Sequence, residues 1–224
     1  MGTLTRYAEV RDRIAAASRR AGRRAEEVTL VAVTKTASSG DILSLFDAGH
    51  GDFGENRVDR LEAGASLLPA ARWHMIGRLQ GNKVRRARPV TALLHSLDRR
   101  RLAEYWASAP GPCPPVLVQV NVGGDPRKAG IAPQDAAGLV GYCVELGLEV
   151  GGLMVMPPLG RSPEDSRPVF RETAALARRL RRAFPGLAEV SMGMTDDFEV
   201  AVEEGATILR VGRAIFGPTD EGLG

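Results

Sequence analysis

The sequence predicts an α/β protein: a single (β/α)₈ barrel of the TIM type with one extra helix before the first strand. Short β-branched or apolar runs alternate with segments of helical periodicity, which is the pattern of parallel βαβ units. Eight such runs occur, and several, including residues 30–33, are continuously apolar, as expected for a sheet covered on both faces. The 224 residues suit one barrel of this type, which typically has about 250.

The predicted elements begin with a helix and continue as eight strand–helix units. The first helix has an apolar face made of Leu4, Tyr7, Val10, Ile14, Ala17 and Ala21. The strands are predicted at residues 29–34, 52–54, 72–76, 92–97, 116–121, 153–156, 189–192 and 207–211. A capping box at residues 38–41 predicts the start of the helix after the first strand.

We expect one domain over residues 1–224. Proline-rich stretches at residues 110–115 and 157–166 predict loops, not linkers between domains. An open doubly wound sheet is the alternative fold. It would need a Gly-x-Gly-x-x-Gly turn after the first strand, where the sequence has Thr-Lys-Thr at residues 34–36.

Composition excludes several classes of protein. The net charge is +3, and 44% hydrophobic with 25% charged residues is ordinary for a globular protein. Arginine clusters at 85–88, 99–101 and 178–182 lie on predicted helices without interleaved aromatic residues, so we expect no nucleic-acid binding. No apolar run approaches the roughly 20 residues that cross a bilayer, and we expect no membrane association. The lone Cys113 and Cys143 predict neither disulfides nor a metal site, so we expect a reducing, cytoplasmic location. We also expect a monomer.

Lys35 directly follows the first predicted strand. In a barrel of this type, functional groups collect at the carboxyl ends of the strands. We expect the barrel mouth to desolvate this amine partly, which would favour the neutral form that condenses with an aldehyde. A solvated surface lysine is the alternative.

Two glycine loops follow the seventh and eighth strands. Ser191, Gly193, Met194 and Thr195 belong to the first loop, which we expect to lead into a helix near Thr195. The second loop contains Gly212 and Arg213. Backbone N–H groups at such turns bind anions, and barrels commonly hold phosphate after these two strands. Plain turns are the alternative for each loop.

Arg210 lies inside the apolar run at residues 208–211, where a charge must be paired or meet a ligand. It could face a pyridine nitrogen. Since guanidinium keeps its proton, that nitrogen would stay unprotonated and the ring would be a weak electron sink. A structural ion pair with an acid such as Glu55 is the alternative.

His74 on the third strand, Gly77 at its end and Asn56 after the second strand complete the candidate site. His74 could instead be a hydrogen-bonded core residue, and Asn56 a turn residue. We find no spacing in the sequence that indicates paired carboxylates, a Ser/His/Asp set or a metal cluster. We therefore expect no catalytic residues.

Short motifs occur in one order along nearly the whole chain. They are VAVTK at 31–35, FGEN at 53–56, WHMIG at 73–77, LQ at 79–80, NK at 82–83, VQVN at 118–121, KAG at 128–130, GLM at 152–154, SMGMT at 191–195, VG at 211–212 and IFG at 215–217. Through them the chain resembles the pyridoxal-phosphate homeostasis protein family, small proteins similar to the N-terminal barrel of alanine racemase.

The resemblance implies pyridoxal 5'-phosphate (PLP) as cofactor, held as a Schiff base on Lys35 with Arg210 at the ring nitrogen. It implies cofactor homeostasis without established turnover, with apo PLP enzymes as possible recipients. Two positions depart from the family pattern: Thr195 stands where serine is commoner, and Arg213 where a small residue is expected. A PLP-dependent racemase and a Schiff-base aldolase acting on sugar phosphates are the alternative functions.

Overall fold

Eight parallel strands close into a barrel in the order in which they follow one another along the chain. The computed structural model describes residues 2–125, 128–158, 160 and 162–217. The strands are β1 (Thr29–Val33), β2 (Asp52–Glu55), β3 (Arg72–Met75), β4 (Leu93–Leu97), β5 (Val116–Val120), β6 (Val150–Val155), β7 (Glu189–Ser191) and β8 (Ile208–Val211). The pairing of β8 with β1 closes the barrel. The predicted (β/α)₈ class is therefore confirmed, and the open-sheet alternative is wrong.

Helices fill the intervals between the strands, and one helix precedes them. They are α1 (Thr3–Arg20), α2 (Ser39–Asp47), α3 (Val58–Leu67), α4 (Val84–Ala87), α5 (Arg100–Ser108), α6 (Ala136–Glu145), α7 (Arg167–Arg181), α8 (Phe198–Glu203) and α9 (Arg213–Phe216). The capping box is present, because the Ser38 hydroxyl accepts from the Asp41 N–H and the Asp41 carboxylate from the Ser38 N–H. The extra helix α1 packs against α8 and α9 and buries Val10, Ile14 and Ala17.

β6 begins at Val150, earlier than the sequence predicted. Gly151 and Gly152, which precede the predicted strand, both belong to β6. A Cβ atom at Gly152 would lie only 1.9 Å from the Glu189 carbonyl oxygen of β7. The glycine therefore permits the close approach of two strands, a role that glycine also takes inside strands.

Two separate cores stabilise the barrel. Val31, Leu93, Leu117, Met154 and Ile208 form a small apolar cluster of their own. These residues point into the barrel, while a second and larger cluster packs the strands against the surrounding helices. The continuous apolar runs of β1 and β5 are thus buried on both faces.

Other sequence predictions concern loops, cysteines and membranes. Residues 110–115 form a connection without helix or strand, while residues 159 and 161 of the predicted loop 157–166 lie outside the described residues, as do residues 1, 126–127 and 218–224. Cys113 is exposed, Cys143 is buried, and both are free thiols. In the part of the chain that the structure describes, no helix combines the length and apolar character needed to span a bilayer.

Candidate functional site

A cavity of about 730 Å³ opens where the strands end at their carboxyl side. Eight of the predicted site residues line it: Lys35, Asn56, Gly77, Met194, Thr195, Arg210, Gly212 and Arg213. They come from the ends of β1, β2, β3, β7 and β8, so the barrel brings together residues that are far apart in sequence. His74, Ser191 and Gly193 do not line this cavity. The volume falls within the range of about 300–1,000 Å³ typical of small-molecule sites.

Lys35 stands two residues beyond the end of β1 and is exposed. That the barrel mouth partly desolvates its amine stays a prediction. The mouth is open there, since Met156 on the same cavity wall is also 44% exposed. Among the described residues, none forms a hydrogen bond or ion pair with the Lys35 ammonium, and only its backbone carbonyl is occupied, by Arg60. The amine is thus free to meet a ligand in the cavity.

Arg210 is the buried cation of the site, with only 4% of its surface exposed. Its Nη1 donates to Ser191 Oγ at 2.5 Å and its Nη2 donates to the Val155 carbonyl at 2.9 Å. Both acceptors are neutral, and burial lowers the pKa of Arg210 to about 10. Within the described residues no carboxylate forms a salt bridge with it, so the alternative of a structural ion pair with an acid such as Glu55 is wrong.

Glu55 instead accepts hydrogen bonds from Thr34 and Asn56 at the ends of β1 and β2. The Thr34 hydroxyl donates to Glu55 Oε1 at 2.5 Å, and the Asn56 N–H donates to Oε2 at 3.3 Å. Glu55 is 2% exposed, and this burial raises the pKa of its carboxyl group. Glu55 therefore fixes the strand ends that carry Lys35 and Asn56.

Ser191 and His74 lie beneath the cavity floor. Ser191 is fully buried, and its hydroxyl contacts Arg210 and His95 Nδ1, the latter at 2.9 Å. His74 is 1% exposed and bonds His95 and Asp52. The expectation that these two side chains face the cofactor cavity is wrong, because the inward-pointing residues of a barrel stack in layers and these two belong to a lower layer.

The two glycine loops present backbone N–H groups at the cavity. In the described part of the chain, no hydrogen bond engages the N–H groups of Thr195, Asp196, Gly212 or Arg213, and all four residues line the cavity. We call these four groups the amide cradle. Consecutive free amides of this kind bind anions such as phosphate. At its rim Arg213 pairs with Asp196, and both side chains are exposed.

The loop after β7 differs from the prediction in one respect. Helix α8 begins at Phe198 and not near Thr195, because the Asp197 carboxylate accepts from the Met194 N–H at 2.7 Å and holds residues 194–197 in a turn. Gly193 has φ +92°, and a Cβ there would lie 2.5 Å from the Ala201 Cβ. The positive φ and the lack of space both require glycine.

The site also contains residues that were not among the sequence predictions, including Gln119, Lys128 and His95. Gln119 and Lys128 line the cavity, where Lys128 Nζ donates to the Pro157 carbonyl at 2.5 Å. His95 is fully buried below it. The available signal for His95 was its spacing of two from Leu93, which places both on the inner face of β4.

Comparison with known proteins gives the family. No family model matches the chain. The chain is 40% identical over 224 residues to the pyridoxal phosphate homeostasis protein of Aquifex aeolicus (strain VF5), covering 97% of this chain and 98% of that protein. The chain belongs to the pyridoxal phosphate homeostasis protein family. The resemblance found in the sequence is confirmed.

Solved structures agree with membership in the pyridoxal phosphate homeostasis protein family. The structure of PipY from Synechococcus elongatus PCC7942 with PLP bound superposes with a TM-score of 0.76 at 34% identity, covering 85% of this chain and 93% of PipY. Alanine racemase from Corynebacterium glutamicum has a TM-score of 0.69 at 15% identity, covering 96% of this chain and 62% of the racemase. The likeness to alanine racemase shows a shared fold alone.

Proposed function

We propose that this protein binds PLP as a Schiff base on Lys35 and serves the homeostasis of that cofactor. One observation carries the proposal: the unengaged Lys35 amine and the amide cradle line the same cavity. PLP carries an aldehyde and a phosphate on one ring, so an amine and an anion site within one cavity match its two ends. The PLP bound to PipY supports the same assignment.

Each wall of the cavity has a part in this proposal. Thr195, Gly212 and Arg213 hold the phosphate through their N–H groups. Arg210 lies at the ring nitrogen. Gly77 and Asn56 shape the wall near Lys35, because a Cβ at Gly77 would lie 2.1 Å from the Asn56 carbonyl oxygen and no side chain fits between them. Ser191 acts through Arg210, and Gly193 through the turn it permits.

A carrier role without turnover fits the chemistry of the cavity better than a racemase. Arg210 keeps its proton at neutral pH even with its lowered pKa of about 10, so it would leave the ring nitrogen unprotonated and the ring a weak electron sink. A racemase also needs a second base, usually a tyrosine. The three tyrosines, Tyr7, Tyr105 and Tyr142, all lie on helices outside the barrel, away from the cavity.

The remaining parts of the proposal concern the cell. We place the protein in the cytoplasm as a monomer that delivers PLP to apo enzymes. The free thiols of Cys113 and Cys143 suit a reducing compartment. Transfer from the PLP-loaded protein to an apo PLP enzyme, followed by that enzyme's recovered activity, tests delivery directly.

Titration with PLP, followed by its absorbance, tests binding at Lys35. Two lysines line the cavity, Lys35 and Lys128, whereas Lys83 is exposed outside it. We expect Lys35→Ala to abolish the Schiff-base absorbance, while Lys83→Ala, the matched control, retains it. Lys128→Ala should also retain it. Loss of the absorbance in Lys128→Ala but not in Lys35→Ala would contradict the assignment.

Two further assays separate the alternative functions. Turnover of single L-amino acids, detected by chiral analysis at rates far above those of free PLP, would favour a racemase. Borohydride trapping of Lys35 that requires a sugar phosphate would favour an aldolase. The proposal expects neither result.

A further inference from the structure

A line of hydrogen-bonded side chains crosses the barrel interior from one end to the other. Asp52 Oδ1 lies 3.0 Å from His74 Nε2, and His74 Nδ1 lies 2.9 Å from His95 Nε2. His95 Nδ1 lies 2.9 Å from Ser191 Oγ, which lies 2.5 Å from Arg210 Nη1. We call these five residues the buried chain. It begins at the first residue of β2 and ends at the cavity.

The chemistry of the two ends fixes where every proton of the buried chain lies. Arg210 can only donate, so Ser191 Oγ accepts from it. Asp52 is the opposite end. Its partial burial by itself would raise its pKa, but the hydrogen bond from His74 and the positive charge of Arg72 outweigh this, and the pKa of Asp52 is lowered. Asp52 is therefore an ionised acceptor, and His74 donates to it through Nε2–H.

The middle of the buried chain then has one fully satisfied arrangement. Neutral His74 accepts at Nδ1 from the Nε2–H of His95, and His95 accepts at Nδ1 from the Ser191 hydroxyl. Burial, with the positive charge of Arg210, holds the pKa of His95 well below its usual range, in agreement with a neutral ring. In the reverse arrangement the Ser191 hydroxyl hydrogen would have no acceptor among the described residues.

The direction of the hydrogen bonds in the buried chain matters for Arg210. Because the Ser191 hydroxyl hydrogen is held by His95, its oxygen presents a lone pair to Arg210 and not a competing proton. Val155 supplies the second acceptor from β6. The guanidinium thus has two of its nitrogen atoms fixed, and it lines the cavity as a positioned donor.

We propose that Asp52, His74 and His95 are positioning residues that act through Ser191 to orient Arg210 towards the ligand in the cavity. None of the three touches that cavity, and this role rests on the proposed function in so far as the ligand is PLP. The barrel interior also holds an apolar cluster, and burying polar side chains beside it costs free energy. Positioning Arg210 would explain why these polar residues are present there.

Nitrogen NMR of the histidine rings in the PLP-free protein tests the arrangement without any ligand. The chain has three histidines, and the His50→Gln variant assigns the third. His50 is a matched control, because it is buried and bonds Tyr7 and the Asp52 carbonyl but lies off the buried chain. We expect His74 and His95 to be neutral with the proton on Nε2, and unchanged in His50→Gln. An imidazolium, or a proton on Nδ1, at either residue would overturn the proposal.

The rate of PLP release tests the effect on Arg210. His95→Phe retains the ring but removes both nitrogens, whereas His95→Gln offers an acceptor and a donor at imidazole-like spacing. Without His95 to hold its hydrogen, the Ser191 hydroxyl no longer accepts from Arg210. The loss of that one hydrogen bond predicts release about fivefold faster in His95→Phe, with a rate within about twofold of wild type in His95→Gln. Equal release rates in His95→Phe and wild type would refute the positioning role, as would a glutamine variant as fast as the phenylalanine variant.

These two measurements keep the proposals separable. If the wild-type protein takes up no PLP, the proposed function fails while the NMR result still tests the buried chain. If His95→Phe does not fold, Ser191→Ala, which removes only the oxygen atom that Arg210 contacts, replaces it with the same expected acceleration. Wild-type uptake of PLP combined with wild-type release from Ser191→Ala would overturn the inference and leave the proposed function standing.

Discussion

Replacing Arg210 with methionine should abolish PLP binding but change the free energy of unfolding only slightly. Lowering the pKa of Arg210 from its ordinary value to about 10 corresponds to a penalty of about 3 kcal/mol for the charged side chain in the folded state. The substitution removes this penalty. It also removes two hydrogen bonds that the charged guanidinium donates, to Ser191 and Val155, worth about 1.5–2 kcal/mol each. The net change in the free energy of unfolding should lie within about 1 kcal/mol of zero.

Urea unfolding of PLP-free Arg210→Met and wild type measures this balance, and PLP titration measures binding. For a chain of this size the midpoint of thermal unfolding should move by no more than about 4 °C. Breaking a buried ion pair would instead destabilise by about 3–5 kcal/mol. A loss of that size would refute the assignment of Arg210 as a cation without a salt-bridge partner. Arg213→Met, at an exposed position paired with Asp196, is the control for stability.

Three further predictions follow from burial, backbone geometry and pKa. Lys35→Ala should unfold as cooperatively as wild type, because the residue is exposed and outside both cores. Gly193→Ala should destabilise by about 1–3 kcal/mol in urea unfolding, since it combines positive φ with a 2.5 Å contact to Ala201. Gly205→Ala, with φ +99° but with the nearest atom, the Ala174 Cβ, 4.0 Å from the added Cβ, should cost only about 1 kcal/mol. Glu55→Gln should raise the free energy of unfolding at about pH 7 but not at about pH 4. Folding raises the pKa of Glu55, so the wild type loses stability as the pH rises from the ordinary glutamate pKa through the raised one, whereas glutamine does not titrate.

Specific outcomes would contradict each of these. Broad, non-cooperative melting of Lys35→Ala would place that lysine in the packed core. Equal costs for Gly193→Ala and Gly205→Ala would mean that the contact with Ala201 relaxes and that only backbone strain matters. A Glu55→Gln variant less stable than wild type at pH 7 would mean that ionised Glu55 has a partner stronger than Thr34 and Asn56.

The fold could be predicted because its signals are local and repeated. Each strand shows an apolar or β-branched run, and each helix a face of period 3.6, so the order of elements follows from periodicity. The predicted start of β6 at residue 153 is too late, because β6 also includes Gly151 and Gly152. Their true role depends on the approach of Glu189 from β7, which only the closed barrel creates.

The sequence predicts which site residues follow strand ends, but not how far each side chain lies below the barrel mouth. Lys35, Thr195 and Gly212 follow strand ends, and the barrel brings such ends to one mouth. How far a side chain lies below that mouth depends on the stagger of neighbouring strands, which sequence does not reveal. Ser191 and His74 were therefore assigned to the cavity although they lie beneath it, and His95 was missed.

Peptide mapping after borohydride reduction of the PLP-loaded protein tests the central claim most directly. The account predicts a single phosphopyridoxyl adduct on the peptide that contains Lys35. An adduct on Lys128 alone, or protein that stays unlabelled under saturating PLP, would contradict it.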